Sequence, residues 1–448
     1  MEWLVEKLKG HGGNNAFVYD SIETTYNQLY EGVLMWDDII FFTNLPKGAV
    51  VSIESKNNPA LISVIISLIK NENIIIPLNT SVMNTSTCNT FREIAQVEYN
   101  LDLSKKDAEF KHTNVTATHT LYNTLRASCN SGLVLFSSGT TGAPKATVLN
   151  FNKLIDKYKG RDKKFNVVSF LGFDHIGGIN TIFHTIASGG TLISPIDRTP
   201  KNVLASIQKW SGDILPTTPT FLNMVLMSDE IQKYDLSSLK IITYGTEPMP
   251  SSTLKKLSTI FPDVTLKQTY GLSEVGILPT KSKNNNELWL KIGGNGFECK
   301  VKENILWIRS DIAMLGYLNS LSPFDEDGFL NTQDVVEYDE NREYIKILGR
   351  KSEIINIGGE KVYPLEIENI ILQVRGVNDV VVTGVKNPVT GMAAKAIVSC
   401  NIDMDKYFLK KEIVKHCKDN LDSFKIPMLF SFINENLHSE RFKKKRSL

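Results

Sequence analysis

Short apolar runs of strand length alternate with amphipathic stretches of helical period between residues 49 and 270, and nothing else in this 448-residue chain limits its architecture so strongly. Residues 49–53, 73–77, 166–171, 190–194, 213–215, 239–244 and 265–270 read as strands. Residues 59–70, 178–187, 201–210, 220–227 and 251–261 read as helices. This α/β alternation predicts parallel sheets flanked by helices. Such sheets collect ligands beyond the carboxyl ends of their strands. Near residue 286 the character changes to short strands with turns (288–292, 298–301, 305–308, 335–338 and 343–347), which predicts a small antiparallel β region. Residues 362–448 read as α+β, with helices at 364–373 and 406–420, strands at 379–385 and 393–400, and a basic tail. A single core stops growing at about 250–300 residues, so at least two domains are expected.

Composition excludes several classes of function. The formal net charge of +1 offers no general attraction to nucleic acid or anionic membrane. No apolar run is long enough to span a bilayer, and the charged N-terminus is not a signal peptide. The five cysteines lack Cys-x-x-Cys spacing, so a reduced, cytoplasmic protein without a cysteine metal site is expected. There is no His-Glu-x-x-His and no Gly-x-Ser-x-Gly, the signatures of zinc and serine hydrolases.

The densest chemistry lies at residues 137–145. An apolar run over 132–136 leads into Ser137, Ser138, Gly139, Thr140, Thr141, Gly142 and, three positions on, Lys145. Glycines let backbone N–H groups approach an anion, hydroxyls add donors, and the lysine adds a point charge. That is the chemistry of a polyphosphate clamp. It is not a Walker A loop, which needs four residues between the glycines and Lys-Ser/Thr directly after. A plain polar turn is the bland alternative. Other strand ends carry weaker signals. Strand 239–244 runs into Gly245, Thr246, Glu247 and Pro248, and strand 265–270 into Tyr270, Gly271, Leu272, Ser273 and Glu274. An aromatic face, a hydroxyl and a carboxylate suit a base, a phosphate and Mg²⁺ respectively. Asp334 could bind ribose hydroxyls or simply sit in a surface turn. Residues 349–368, with Gly358 and Gly359 before a Pro-started helix, lie where a domain boundary is expected.

Taken together, segments 137–145, 244–248, 270–274 and 349–368 resemble, in order and spacing, those of the acyl-adenylate-forming enzymes: acyl-CoA synthetases, peptide-synthetase adenylation domains and luciferases. The resemblance covers roughly residues 20 to 446. It implies a large N-terminal domain of α/β layers plus a small β-barrel (1–350), and a mobile α+β C-terminal domain (351–448) hinged near Ser352. It further implies that residues 137–145 hold the β- and γ-phosphates of ATP and that Tyr270 stacks on adenine beside 244–248. Ser273 would contact the α-phosphate, Glu274 would hold Mg²⁺, and Asp334 with Arg350 would bind ribose. The family's C-terminal lysine string is matched by Ser439, Lys443 and Arg446, with Leu437 and Phe442 standing where a proline and a glycine are usual. Lys443 is the expected catalytic lysine and Lys444 its rival.

The implied reaction is adenylation of a carboxylic acid with release of pyrophosphate, followed by transfer to a pantetheine thiol. Rotation about Ser352 would bring Gly358 and Gly359 to the thiol tunnel. Residues 171–178 align with the acid-pocket wall. Asp174 matches the amino-acid-specific type, and His175 before Gly177 and Gly178 matches the acyl-CoA type, with His175 near the carboxylate. A core histidine is the alternative. CoA is the expected acceptor. The rival is a carrier-protein phosphopantetheine, with no carrier domain expected in a chain that ends two residues after Arg446. A non-catalytic nucleotide-binding relative is a third possibility. Neither the acid nor the oligomeric state is legible.

Overall fold

The computed structural model describes residues 1–56, 58–138, 144–435, 437–439, 442 and 444. Two seven-stranded sheets sandwich helices between them. One runs Thr265–Gln268, Ile241–Tyr244, Ile214–Thr217, Asn166–Val168, Thr191–Ser194, Asn15–Tyr19, Ile22–Thr25, all parallel except the last hairpin. The other has a parallel centre, Gly132–Ser138, Ile74–Asn79, Val50–Ser55 and Tyr99–Asp102, with antiparallel strands at both edges. Helices Pro59–Lys70 and Ile176–Ser188 lie in the largest core, which draws on strands of both sheets. Their sequences are apolar nearly all round because neither has a solvent face. Asn58 caps the first and Pro59 starts it.

Beyond these sheets, Thr280–Ser282, Leu290–Ile292, Ile345–Arg350, Leu330–Tyr338, Ile305–Ser310 and Phe297–Lys302 form a six-stranded antiparallel sheet. The C-terminal part packs helices Pro364–Ile371 and Lys406–Asn420 on a three-stranded sheet, with its own core. Its third strand, Leu429–Ile433, pairs in parallel with Gly391–Ser399.

Two departures from the sequence expectation bear on the site. The run 265–270 is not one strand. It ends at Gln268, Thr269 bonds back to the Tyr244 carbonyl, and Tyr270–Leu272 pairs instead with Gly276–Leu278. The run 166–171 stops at Val168, after which Ser169 and Phe170 turn. Strand Gly132–Ser138, expected to end in a loop, pairs antiparallel with Pro144–Asn150, Ser137 opposite Lys145.

Candidate active site

The carboxyl ends of the first sheet open onto a cavity of about 290 Å³. Thr246, Glu247, Pro248, Tyr270, Gly271, Asp334 and Arg350, all expected at a nucleotide, line it. Asp334 and Arg350 face each other across adjacent antiparallel strands, and a bulge after Val335 helps turn Asp334 inward. The Tyr270 hydroxyl donates to Asp334 Oδ2 at 2.5 Å, and Arg350 Nε lies 3.3 Å from Oδ1. Burial pushes the Asp334 carboxyl above its ordinary range, opposed by the Arg350 charge and the Tyr270 hydroxyl. The same burial, with Asp334 beside it, raises the Tyr270 phenol. Tyr270 therefore reaches the cavity as part of a polar triad in which it and Asp334 are buried and Arg350 is exposed, a role the sequence did not suggest.

Glu247 is a second, half-buried carboxylate. It accepts from Thr220 N at 2.7 Å and from Lys444 N at 3.1 Å, and burial raises it against those donors. Thr246, its neighbour, has φ of 71°, a costly conformation for a β-branched residue. A Cβ at Gly245 would come within 2.4 Å of Thr269 Oγ1, so only glycine fits there. Thr246 also lines a second cavity, of about 20 Å³, whose other walls include Phe170, Asp174, His175, Arg198 and Thr218. The two cavities meet at this strained threonine.

His175 lines the small cavity, and it also caps helix Ile176–Ser188 by accepting from Gly177 N at 3.0 Å. Asn79 Nδ2 is 3.5 Å from the Asp174 carboxylate. A Cβ at Gly178 would meet the Gly172 carbonyl at 1.9 Å, which explains a glycine in this tight approach.

The clamp is only partly described. Gly139, Thr140, Thr141 and Gly142 lie outside the described residues, as does Lys443. Lys145, at the start of the return strand, holds its ammonium 5.2 Å from the Tyr317 ring centre, and Tyr317 donates to Glu274 Oε1 at 2.5 Å. Burial and this carboxylate raise the Tyr317 phenol. Asn319 fixes the same strand, donating to the Pro144 carbonyl at 2.8 Å and accepting from Ala146 N at 3.0 Å. Ser273 sits in the turn between Leu272 and Glu274. Ser352 is exposed in a short 3₁₀ turn. Gly358 and Gly359 form an exposed hairpin tip, with φ of 62° and 95°, away from both cavities.

Sequence reasoning passed over Tyr317, Asn319 and Gln268. Gln268 lines the large cavity with a buried side-chain oxygen that has no hydrogen-bond partner among the described residues. Nothing local marks any of the three; Tyr317 and Asn319 matter through distant partners and Gln268 through its place in the cavity wall. Lys444 also lines the cavity, but its ammonium lies 3.2 Å from Asp379, 3.5 Å from Glu368 and 2.9 Å from the Val380 carbonyl. Among the described residues no group of three or more metal-ligating side chains occurs, and no helix is long and apolar enough to cross a membrane.

A mixed α/β body with a small C-terminal domain and a polar cavity at the strand ends defines a class, and the profile comparisons agree. The AMP-binding enzyme profile matches residues 4–302 and that of the AMP-binding enzyme C-terminal domain matches 366–444. The chain belongs to the AMP-binding enzyme family. It is 30% identical to Acyl-CoA synthetase 7 of Caenorhabditis elegans over 334 residues, 67% of this chain but 61% of that protein, so the chain spans less than two thirds of this relative. It is 23% identical to 2-succinylbenzoate–CoA ligase of Staphylococcus epidermidis, over 95% of this chain and 92% of that one. Among solved structures, the anthranilate CoA ligase AuaEII in complex with anthranoyl-AMP superposes with a TM-score of 0.80 at 16% identity, covering 98% of this chain and 95% of that one.

Proposed function

We propose that this protein is an ATP-dependent acid–thiol ligase of the cytoplasm that adenylates a small carboxylic acid and passes the acyl group to CoA. The observation that carries the reading is the junction at Thr246: a polar cavity with the Tyr270–Asp334–Arg350 triad opens beside a small cavity walled by Asp174 and His175. Adenylation needs such an arrangement, because a carboxylate oxygen must lie in line with the α-phosphorus. The ligase names of the relatives support it.

In this reading Asp334 and Arg350 hold the ribose, while Tyr270, the Gln268 amide and residues 245–248 receive the base. Lys145 and the 137–142 loop hold the β- and γ-phosphates, and Ser273 meets the α-phosphate. Glu274 is a single carboxylate oriented by Tyr317. This suits Mg²⁺, which takes one or two protein carboxylates and otherwise phosphate oxygens and waters. A bound Mg²⁺ would offset charge on the polyphosphate. The acid's carboxylate oxygen attacks the α-phosphorus and the bond to pyrophosphate breaks. Lys443 bridges the carboxylate and the α-phosphate as charge moves. Lys444, engaged by Asp379 and Glu368, is the anchor of the tail. Rotation about Ser352 then carries Gly358 and Gly359 to the thiol. The thiol loses its proton, sulfur attacks the acyl carbon, and AMP leaves.

The test is pyrophosphate release from MgATP across fatty, aryl, hydroxy and amino acids, with and without CoA. Release that depends on one acid and rises with CoA, with acyl-CoA detected by mass spectrometry, is expected. Release indifferent to CoA would replace CoA by a carrier-protein thiol. ATP binding without release for any acid would overturn the ligase reading.

A further inference from the structure

Phe442 departs from the family's glycine, and its backbone keeps the conformation glycine favours, with φ of 54°. The ring is not left in solvent. It packs against Phe170 and Phe221 with centroids 5.2 and 5.7 Å away, and those two rings are 4.4 Å from each other. His438 stacks on it at 5.5 Å, and the Arg198 guanidinium lies 5.2 Å from its centre. Phe170 and Arg198 are also walls of the small cavity beside Thr246. That cavity, about 20 Å³, is of the order of a single water site. Phe170 and Phe221 come from the N-terminal sheet and helix layers, whereas Phe442 arrives from the other end of the chain.

We propose that Phe442 sets specificity as a positioning residue: carried on the C-terminal segment, it packs behind Phe170 and Arg198, two walls of the acid pocket, and so restricts the substrate to a short, compact acid. The proposal rests on the ligase reading. A bulky ring is retained at a left-handed position because its contacts with Phe170 and Phe221 offset the strain, and the space it fills is denied to a longer acyl chain.

The experiment compares wild type with Phe442→Gly, which relaxes the backbone and removes the ring, and with Phe442→Leu, which keeps part of the packing. Binding of acetate, butyrate, hexanoate and octanoate is measured by calorimetry in the presence of an α,β-methylene ATP analogue, alongside acid-dependent pyrophosphate release from ATP. Expected is a preference for the short acids in wild type and a shift of the optimum by two or more carbons in Phe442→Gly. The octanoate-to-butyrate preference should rise by about tenfold or more, with Phe442→Leu between. Parallel profiles, with all acids weakened alike in both variants, would overturn the proposal and leave Phe442 as packing only. Chain-length selection without pyrophosphate release would overturn the ligase reading and leave the size filter standing. No acid bound by any of the three proteins would overturn both.

Discussion

The large and small cavities share Thr246 but differ in volume, about 290 against 20 Å³, and in what fixes their walls. The large one is held by charge-assisted hydrogen bonds among Tyr270, Asp334 and Arg350. Those bonds form between strand ends, and Leu365, Glu368 and Lys444 from the C-terminal part complete this cavity's lining. The small one has the ring of Phe170 in its wall, and behind that ring pack Phe221 and, from the tail, Phe442. A nucleotide is the same in every turnover and can be met by a preformed polar site. An acid that varies between relatives is better measured by apolar packing, where single methylenes change the fit.

The largest expected effect separates the lysines at the tail. Lys443→Ala should lower acid-dependent pyrophosphate release by about 10²-fold or more, while thioester formation from supplied acyl-adenylate survives. Lys444→Ala should instead lower the melting temperature, since it leaves buried Glu368 without that partner. Exchange of the two phenotypes would reverse the assignment.

Next is Asp334→Asn, which keeps the shape and removes the charge that holds Arg350. A loss of about 1.5–3 kcal/mol in ATP affinity is expected, or roughly 10- to 100-fold in Kd. Wild-type affinity should fall with pH in a window above the ordinary carboxylate value of about 3.9, because the folded carboxyl is raised and protonates early. The variant should be flat there. In the unliganded protein the sign reverses: the folded state binds this proton more tightly than the unfolded one, so Asp334 adds stability as pH falls through that window. Affinity that holds down to the ordinary range would break the picture of a buried Asp334.

Tyr317→Phe removes the donor to Glu274 while keeping the ring beside Lys145. A loss of about 1 kcal/mol in MgATP use is expected, several-fold in KM. An unchanged KM would detach Tyr317 from the phosphate end. The smallest effect is Thr246→Gly. Relief of a left-handed threonine, worth roughly 1–2 kcal/mol, is largely offset by glycine's entropy. The melting temperature should rise by about 1–2 °C while kcat/KM falls, since the residue borders both cavities. A fall in both would make Thr246 a structural residue.

The motifs legible in the sequence were those whose chemistry is contiguous. Helix 59–70 is apolar on every face and capped by Asn58, and the structure keeps those bounds. Thr246, Glu247, Tyr270, Asp334 and Arg350, expected together, do line one cavity. What escaped was relational. Tyr317 is 43 residues from the carboxylate it orients and Asn319 is 175 from the carbonyl it binds. The break at Thr269 escaped too, because Thr265, Thr269 and Tyr270 favour a strand through the whole run and only the bond to the Tyr244 carbonyl ends it.

The sequence by itself determined the layers, the domain order and the nucleotide chemistry, because periodicity and glycine-rich strand ends are written locally into the chain. Tertiary structure decided which carboxylates are buried, that Tyr270 and Asp334 share a hydrogen bond, and that a phenylalanine near the C-terminus packs on the ring of Phe170. Burial and contact are properties of pairs far apart in sequence, and local propensity cannot encode a distance across the fold.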